Sequence, residues 1–386
     1  MKKYIDHPIT MVGLSATVGN PKTVSEWLKP DNPAMIVTDP SKRPFQYKVF
    51  CGSDQVIYEQ LSKYVGRKIL IFVHSRKDAE KYYNFLRRVL KLKNIYVHHS
   101  SIDRDRREES EEKFKYLKDG FMISTSTLEL GIDIGNIDIV VQIRPPHTVS
   151  SFLQRIGRSG RRSKNQRSII FYNNDQQIFI TLAEISLIYE GHIEDIKIPE
   201  KPKDIYFHQI LSSIFENGKM KQGELFNSLK GSYAFSKMTK DDFKAIIETM
   251  EELEFVNNNS GYLSLGYNFE KKFGKRNFLD FFSVFCPNFE YGVREGTKSI
   301  GTLDLFFVVN FLNPGSQFIL GGAPWKVVDI DHKRFWVKVV KDKAKEGDVP
   351  DWTSEGGVID SLISRKIYDL LLGNYDPDLL RTFDDF

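Results

Sequence analysis

Only two of the 386 residues are cysteine, Cys51 and Cys286. That scarcity excludes a disulfide framework and a cysteine-based zinc site, and it fits a reducing cytoplasm. No run approaches the ~18 consecutive apolar residues that a membrane-spanning helix needs. The opening MKKYIDHPIT is basic but has no apolar segment behind it, so it does not read as a secretory signal. Low-complexity tracts and repeats of solenoid length are missing too. Nor is charge of one sign in large excess: 55 Lys+Arg stand against 51 Asp+Glu, a formal net charge of +4. Such a balance does not establish nucleic-acid binding, so the placement of charge has to decide. Hydrophobic residues at 41% and charged residues at 27% are ordinary globular values, which excludes a disordered or collagen-like chain. The length predicts two to four domains.

What is present first is alternation. Strands are expected at KILIFVHS (68–75), NIYVHHS (94–100), FMISTST (121–127), IDIVVQI (137–143) and RSIIFYNN (167–174). Helical patterns over 76–93, 103–118, 150–162 and 175–191 separate them. Short β-branched strands alternating with helices predict an α/β fold, a parallel sheet covered on both faces. Ahead of it lies a shorter piece: strands at TMVGLSAT (10–17), AMIVTD (34–39) and FQYKVF (45–50), with a helix at PKTVSEWL (21–28). It is too short to be a complete α/β domain. The Pro/Lys-rich IKIPEKPKD (196–204) reads as a linker. Helices over 204–217, 222–230 and 239–253, then a hairpin at FVNNNSGYLSL (255–265), predict a winged helix. Beyond residue 276 the pattern is mostly strand, at FVVNFL (307–312), QFILGG (317–322), WKVVDID (325–331) and FWVKVV (335–340), which predicts a small β-rich domain.

The strongest chemical signal is TSTLELGIDIG (125–135) followed by LQRIGRSGRR (153–162). On a continuous helix Gln154, Arg158 and Arg161 share one face. Between Asp138 and Asp175 there is no acidic residue, yet there are seven basic ones. Planar guanidinium groups suit phosphates, which they grip with paired hydrogen bonds.

These strings resemble a known family. QRIGRSGR is similar to motif VI of superfamily 2 helicases and TSTLELGID to motif V; GLSAT (13–17) is similar to motif III. FVHSRKDAEKYYNFL (72–86) resembles motif IV, and HHSSIDRDRR (98–107) the stretch before motif V. Together with LGGAPWKVVDID and VPDWTSEG (within 320–356), the wording is most similar to Lhr-type (large helicase-related) proteins, over nearly the whole chain.

The resemblance implies a domain order. A remnant of a first RecA-like lobe would occupy 1–50, the second RecA-like lobe 51–198, a winged helix 199–270, and part of a β-rich domain 271–386. It also implies roles. Arg158 and Arg161 would act on the ATP γ-phosphate as arginine fingers, with Gln154 orienting that face. Gly131 and Asp133 would lie near the nucleotide ribose. Ser75, Arg76, Ser100, Thr125 and Ser126 would contact the backbone of a single strand of DNA or RNA. Ser15 and Thr17 would couple nucleotide state to strand position. Contacts of this kind read phosphate rather than base.

One departure matters. A helicase core needs a G-x-x-x-x-G-K-[ST] loop for the phosphates and Mg²⁺. No such string exists in the sequence, and no DEAD/DEAH-type string precedes Ser15. The expectation is therefore a C-terminal portion, inactive alone as an ATPase, whose partner is a P-loop- and DEAD-containing N-terminal half holding most of the ATP and Mg²⁺. The alternative is a non-catalytic nucleic-acid-binding or regulatory protein derived from a helicase.

Plainer readings compete at several positions. Ser15 and Thr17 could end a strand and cap a helix, and Asp133 could be a turn residue. His98 and His99 lack partners at metal spacing and read as strand-end residues. DRDRREESEEKFK reads as a solvated helix face. Lys237, Lys240 and Lys244 read as surface lysines more readily than as a nucleic-acid groove. Trp325, Trp336 and Trp352 read as packing residues.

Overall fold

A computed structural model describes residues 10–15, 17–29, 34–38, 45–129, 131–160, 165–274, 278–282, 290–342, 350 and 359–375. Arg161, Cys286 and Trp352 lie outside the described residues. The chain divides into two units: 40–194 with 288–386, and 1–39 with 195–287.

The first helix in the chain, α1 (Pro21–Leu28), belongs to the second of these units. The first unit is built on a six-stranded sheet of order β1-β6-β5-β2-β4-β3. Its strands are β1 (Phe45–Cys51), β2 (Lys68–Phe72), β3 (Ile95–His98), β4 (Gly120–Ser124), β5 (Ile139–Ile143) and β6 (Gln166–Tyr172), all paired in parallel. The crossovers are α2 (Asp54–Ser62), α3 (Arg76–Val89), α4 (Arg104–Tyr116) and α5 (Val149–Ile156), and α6 (Asp175–Glu190) follows β6. Every residue of β2, β4 and β5 is buried, which is why these segments read as continuous apolar runs rather than as alternation. Alternate side chains serve opposite faces. Ile69, Ile71, Phe121, Ile123, Ile139 and Val141 pack with Ile57, Leu61, Ala79 and Leu86 of α2 and α3. Leu70, Phe72, Met122 and Val140 pack instead with Phe114 of α4. Each such side chain contributes about 1.5–3 kcal/mol. The strand FQYKVF is present as β1, but it pairs with β6 in this sheet, residue for residue from Phe45↔Gln166 to Cys51↔Tyr172. The expected boundary at residue 50 is corrected accordingly: β1 is an edge of the second lobe, not part of a first-lobe remnant.

The second unit contains α1 together with α7 (Lys203–Asn217), α8 (Gln222–Lys230), α9 (Lys240–Glu252) and α10 (Tyr267–Phe273). Its strands β7 (Lys219–Lys221), β8 (Val256–Asn259) and β9 (Tyr262–Leu265) form an antiparallel sheet of order β7-β9-β8. Tyr206, Ile210, Leu225, Phe243, Ile247 and Leu263 share one core. Thr239 caps α9 with a reciprocal capping box to Asp242. TMVGLSAT and AMIVTD carry strand composition, but their described residues form no strand. A strand needs a neighbour for its backbone groups, and here Leu14 is 93% and Met35 87% exposed, with Val12 and Val37 nearly as open.

The remainder of the first unit is a five-stranded sheet, order β11-β10-β14-β13-β12. Its strands are β10 (Glu290–Glu295), β11 (Lys298–Asp304), β12 (Gln317–Leu320), β13 (Ala323–Asp331) and β14 (Trp336–Lys341). Trp325 is fully buried in its core and donates Nε1–H to the Leu320 carbonyl, 2.9 Å. FVVNFL is not a strand: it falls in the helix α11 (Leu305–Phe311). Asp304 decides this, because its carboxylate accepts from Phe306 N at 2.8 Å and caps the helix. An unbroken apolar run carries no periodicity that separates the two states. The final helix is α12 (Ser361–Leu371).

This sheet is fastened to the lobe. Glu80 of α3, fully buried, accepts from Gly321 N (2.5 Å), Gly322 N (2.9 Å) and His99 Nε2 (3.0 Å). Thr302 N donates to the Ser101 carbonyl and Asp103 N to that of Ile300. Among the described residues no helix is long and apolar enough to cross a membrane.

Candidate nucleic-acid and nucleotide site

The residues singled out in the first unit fall at opposite ends of the six-stranded sheet. Ser75, Arg76, Ser100, Thr125 and Ser126 follow the carboxyl ends of β2, β3 and β4. Gly131 and Asp133 lie in the loop entering β5, and Arg158 in the turn entering β6.

At the carboxyl end the loops are stitched together. Val73 N donates to the Ser124 carbonyl (2.9 Å) and Thr125 N to that of His98 (3.3 Å). His98 sits 2.8 Å from the Thr127 hydroxyl and 2.6 Å from Glu111. Burial holds its pKa below the ordinary imidazole value, against the upward pull of Glu111. Ser100 and Ser126 are exposed and Thr125 is buried. Ser75 is the N-cap of α3: its hydroxyl accepts from Asp78 N (3.0 Å) and donates to the Asp78 carboxylate (2.7 Å). Asp78 also pairs with Arg144, whose backbone is left-handed. Arg76 is tied to Ser101 and, at 2.9 Å, to Glu290 of β10. Ser100 and Ser126 are thus the open positions of the five, while Ser75 and Arg76 hold structure.

Behind this end lies His74, its pKa pushed down to about 3 by burial and by the charges of Arg155 and Arg144, with His147 beside it. It stays neutral near pH 7 and offers no acid there.

At the other end the expected helix face does not form. α5 stops at Ile156, so Gln154 lies within it, where its amide reaches Ser150 (3.3 Å), and Arg158 lies beyond. Gly157 and Gly160 are therefore not helix-interior residues and carry no helix-propensity cost there. Gly160 adopts φ +68, and a Cβ on it would lie 2.3 Å from the Asn165 carbonyl oxygen; only glycine turns the chain this tightly. The Arg158 guanidinium, 6% exposed, donates to the carbonyls of Glu129 (2.6 Å) and Ile132 (2.9 Å). It therefore holds the TSTLELGID loop. Asp133 is exposed, ion-paired to Lys115 at 2.8 Å and accepting from Gly135 N at 3.1 Å. Among the described residues, its chain neighbours aside, nothing lies within 4 Å of a Cβ placed on Gly131.

A cavity of about 590 Å³ opens beside Asp133, lined among others by Lys68, Lys115, Lys118 and Asp138. Lys68 opens β2 and is buried; its ammonium donates to the carbonyls of Lys115 and Ile134, both at 3.0 Å. Burial lowers its pKa, with Asp138 and Asp133 opposing. Gly135 makes room for it, since a Cβ there would stand 2.9 Å from that nitrogen.

Two buried cations escape a reading of the sequence. One is Lys68, for which a lone cation opening the apolar run KILIF is the available signal. The other is Arg155, which in the sequence is only one of seven basic residues. It is buried and pairs with Glu129 at 2.8 Å. Near it Glu184 is fully buried, with neither oxygen hydrogen-bonded among the described residues, and burial raises its pKa well above the carboxylate range. In the second unit Ser15 is exposed and its hydroxyl reaches the Thr17 carbonyl at 3.4 Å.

A model of the helicase conserved C-terminal domain matches residues 53–163. The Lhr-Core helicase of Saccharolobus solfataricus is 30% identical over 373 residues, which is 89% of this chain and 42% of that protein. That of Methanocaldococcus jannaschii is 28% identical over 370 residues, with the same shares. The chain thus spans less than half the length of these relatives. The Mycobacterium smegmatis helicase Lhr superposes with a TM-score of 0.61 at 23% identity, over 67% of this chain and 37% of that one. The helicase MrfA gives 0.61 at 18%, over 85% and 47%. By sequence and by fold, the chain is an Lhr-like relative within the superfamily 2 helicases that carries their conserved C-terminal domain.

Proposed function

We propose that this chain is the C-terminal portion of an ATP-dependent nucleic-acid helicase, working with a half that carries the P-loop and DEAD-type motifs. The observation that carries the reading is the separation of the two residue groups across one rigid sheet. Exposed hydroxyls at Ser100 and Ser126 suit a sugar-phosphate backbone at one end. Asp133 and Arg158 suit a nucleotide at the other. The M. smegmatis structure holds single-stranded DNA and AMP-PNP, and that of MrfA holds DNA, which supports both assignments. In this reading that half covers the apolar side chains of Val12, Leu14, Met35 and Val37, and Ser15 and Thr17 report nucleotide state to the strand.

Asp133, exposed though paired with Lys115, would accept ribose hydroxyls. Arg158, and with it Arg161, would neutralise charge developing on the γ-phosphate; for Arg158 this requires its guanidinium to leave the carbonyls of Glu129 and Ile132, so nucleotide arrival and release of the TSTLELGID loop are coupled. Gln154 orients the turn from the last part of α5. Among the described residues no group of three or more His, Cys, Asp or Glu side chains converges as metal ligands do. In this reading Mg²⁺ sits mainly on the other half, as the resemblance implies, and no step is routed through it here.

The engagement of Arg158 is also the observation that favours the second reading, a non-catalytic binding protein in which that arginine is structural. Strand binding tests what both readings share. The purified chain should bind a fluorescent single-stranded 20-mer, and Ser100→Asp with Ser126→Asp should weaken binding about tenfold or more by setting carboxylates against phosphates. Unchanged affinity would remove the carboxyl-end surface from the account.

A further inference from the structure

The antiparallel sheet of the second unit has one apolar and one polar face, and nothing described covers the polar one. The register pairs Lys219 with Ser264 and Lys221 with Tyr262; across the other edge Asn257 pairs with Ser264 and Asn259 with Tyr262. Partners in a ladder and residues two apart project to the same side. Lys219, Lys221, Tyr262, Ser264, Asn257 and Asn259 therefore form one face, and all but Ser264 are exposed. Met220, Leu263 and Val256 take the other, toward the core of this unit.

Two properties set this face apart from the rest of the unit's surface. The ammonium groups of Lys219 and Lys221 flank the Tyr262 ring at 5.7 Å and 5.5 Å from its centroid, and the ring is 42% exposed. The face also carries no carboxylate, and neither lysine forms an ion pair among the described residues. The α9 region differs: Lys237 is paired to Glu200 at 2.5 Å and Lys244 to Glu248 at 3.7 Å. Two of the three lysines read there as surface residues rather than a groove, Lys237 and Lys244, have their charge answered within the protein, whereas those of β7 form no ion pair among the described residues.

We propose that this face is a second binding surface for single-stranded nucleic acid, with Tyr262 as a base-stacking platform and Lys219 and Lys221 gripping phosphates. An aromatic ring between cations is the arrangement that holds unpaired strands without regard to sequence, and the unanswered positive charge selects a polyanion. The amides of Asn257 and Asn259 add neutral donors and acceptors along the same rows. The surface extends the strand-binding reading above but lies on different residues and a different unit, so each can fail alone.

The test is fluorescence anisotropy of the full chain with fluorescein-labelled dT20 and rU20 across a salt series. Tyr262→Ala should weaken binding about tenfold, and Tyr262→Phe should restore it, since stacking needs the ring and not the hydroxyl. Lys219→Gln with Lys221→Gln should weaken binding and make the slope of log affinity against log salt shallower by about 1.4, ~0.7 for each phosphate no longer neutralised. All these side chains are on the surface, and circular dichroism of each variant checks the fold. Three results would overturn the proposal: unchanged binding in both variants while Ser100→Asp with Ser126→Asp abolishes it; loss in the lysine variant with none in Tyr262→Ala, which marks a general polyanion patch; or equal competition by polyglutamate, which marks an acidic-protein surface. Loss in Tyr262→Ala with Ser100→Asp and Ser126→Asp unaffected would support this surface and refute the carboxyl-end site.

Discussion

The two ends of the six-stranded sheet are made differently. At the carboxyl end, short loops are fixed by backbone hydrogen bonds such as Val73 to Ser124, and Ser100 and Ser126 are left open to solvent. At the amino end, the loops are longer and are held by charged side chains turned inward: Arg158 on two carbonyls and Lys68 on two more. One end offers a fixed surface that needs no rearrangement to bind. The other engages its cations with its own backbone, so a ligand there must compete with the protein. The proposed function assigns strand binding to the first end and a response to nucleotide to the second, and each charge at the amino end is a place to test that assignment.

The largest effect should come from Arg155. Arg155→Met leaves the largely shielded Glu129 carboxylate without its partner, and breaking a pair held away from water costs about 3–5 kcal/mol; urea unfolding measures it. A loss below ~1 kcal/mol would mean that the loop is not held by this pair. Next come the buried titrating groups near it, which should slope in opposite directions with pH. His74 has its pKa depressed to about 3. The unfolded chain therefore binds a proton that the fold refuses, and stability falls as pH drops from about 6.5 toward 3. Glu184 has its pKa raised, so the fold keeps a proton the unfolded chain gives up, and stability falls as pH rises above the ordinary carboxylate value. Glu184→Gln should raise the melting temperature at pH 8 and change little at pH 4.5; His74→Asn should flatten the acid limb and leave the alkaline one. Equal shifts at both pH values would remove the titration account. The smallest effect belongs to the solvated face of α4. Lys113→Ala breaks an exposed ion pair to Glu109 and should leave unfolding unchanged within error, since such pairs are screened by water.

What the sequence reveals follows the range of the interaction that decides each element. The buried runs of β2, β4 and β5 are local, and they read correctly as strands; the N-caps Ser75 of α3 and Thr239 of α9 are not read as caps. The motif VI segment fails as a helix because the glycine at position 160 needs a left-handed backbone, and its close approach to Asn165 is visible only in three dimensions. TMVGLSAT and AMIVTD have strand composition without a strand's neighbours. Of the residues the motifs single out, Ser100 and Ser126 are exposed, and Asp133 is exposed but paired with Lys115. Arg76 is illegible in the sequence, because Glu290, which occupies it, is 214 residues away. The same holds for Glu80, whose donors are His99 and two glycines of the β-rich sheet. Long-range partners decide whether a charged residue is free for a ligand, and a single sequence does not carry them.

The most direct measurement is ATP hydrolysis by the purified chain, alone and mixed with a separately produced polypeptide carrying the P-loop and DEAD-type motifs of an Lhr-type helicase. The account predicts negligible turnover alone, strand-stimulated turnover in the mixture, and loss of that turnover with Arg158→Ala while strand binding persists. Hydrolysis by the chain alone, or a mixture indifferent to Arg158→Ala, would contradict it.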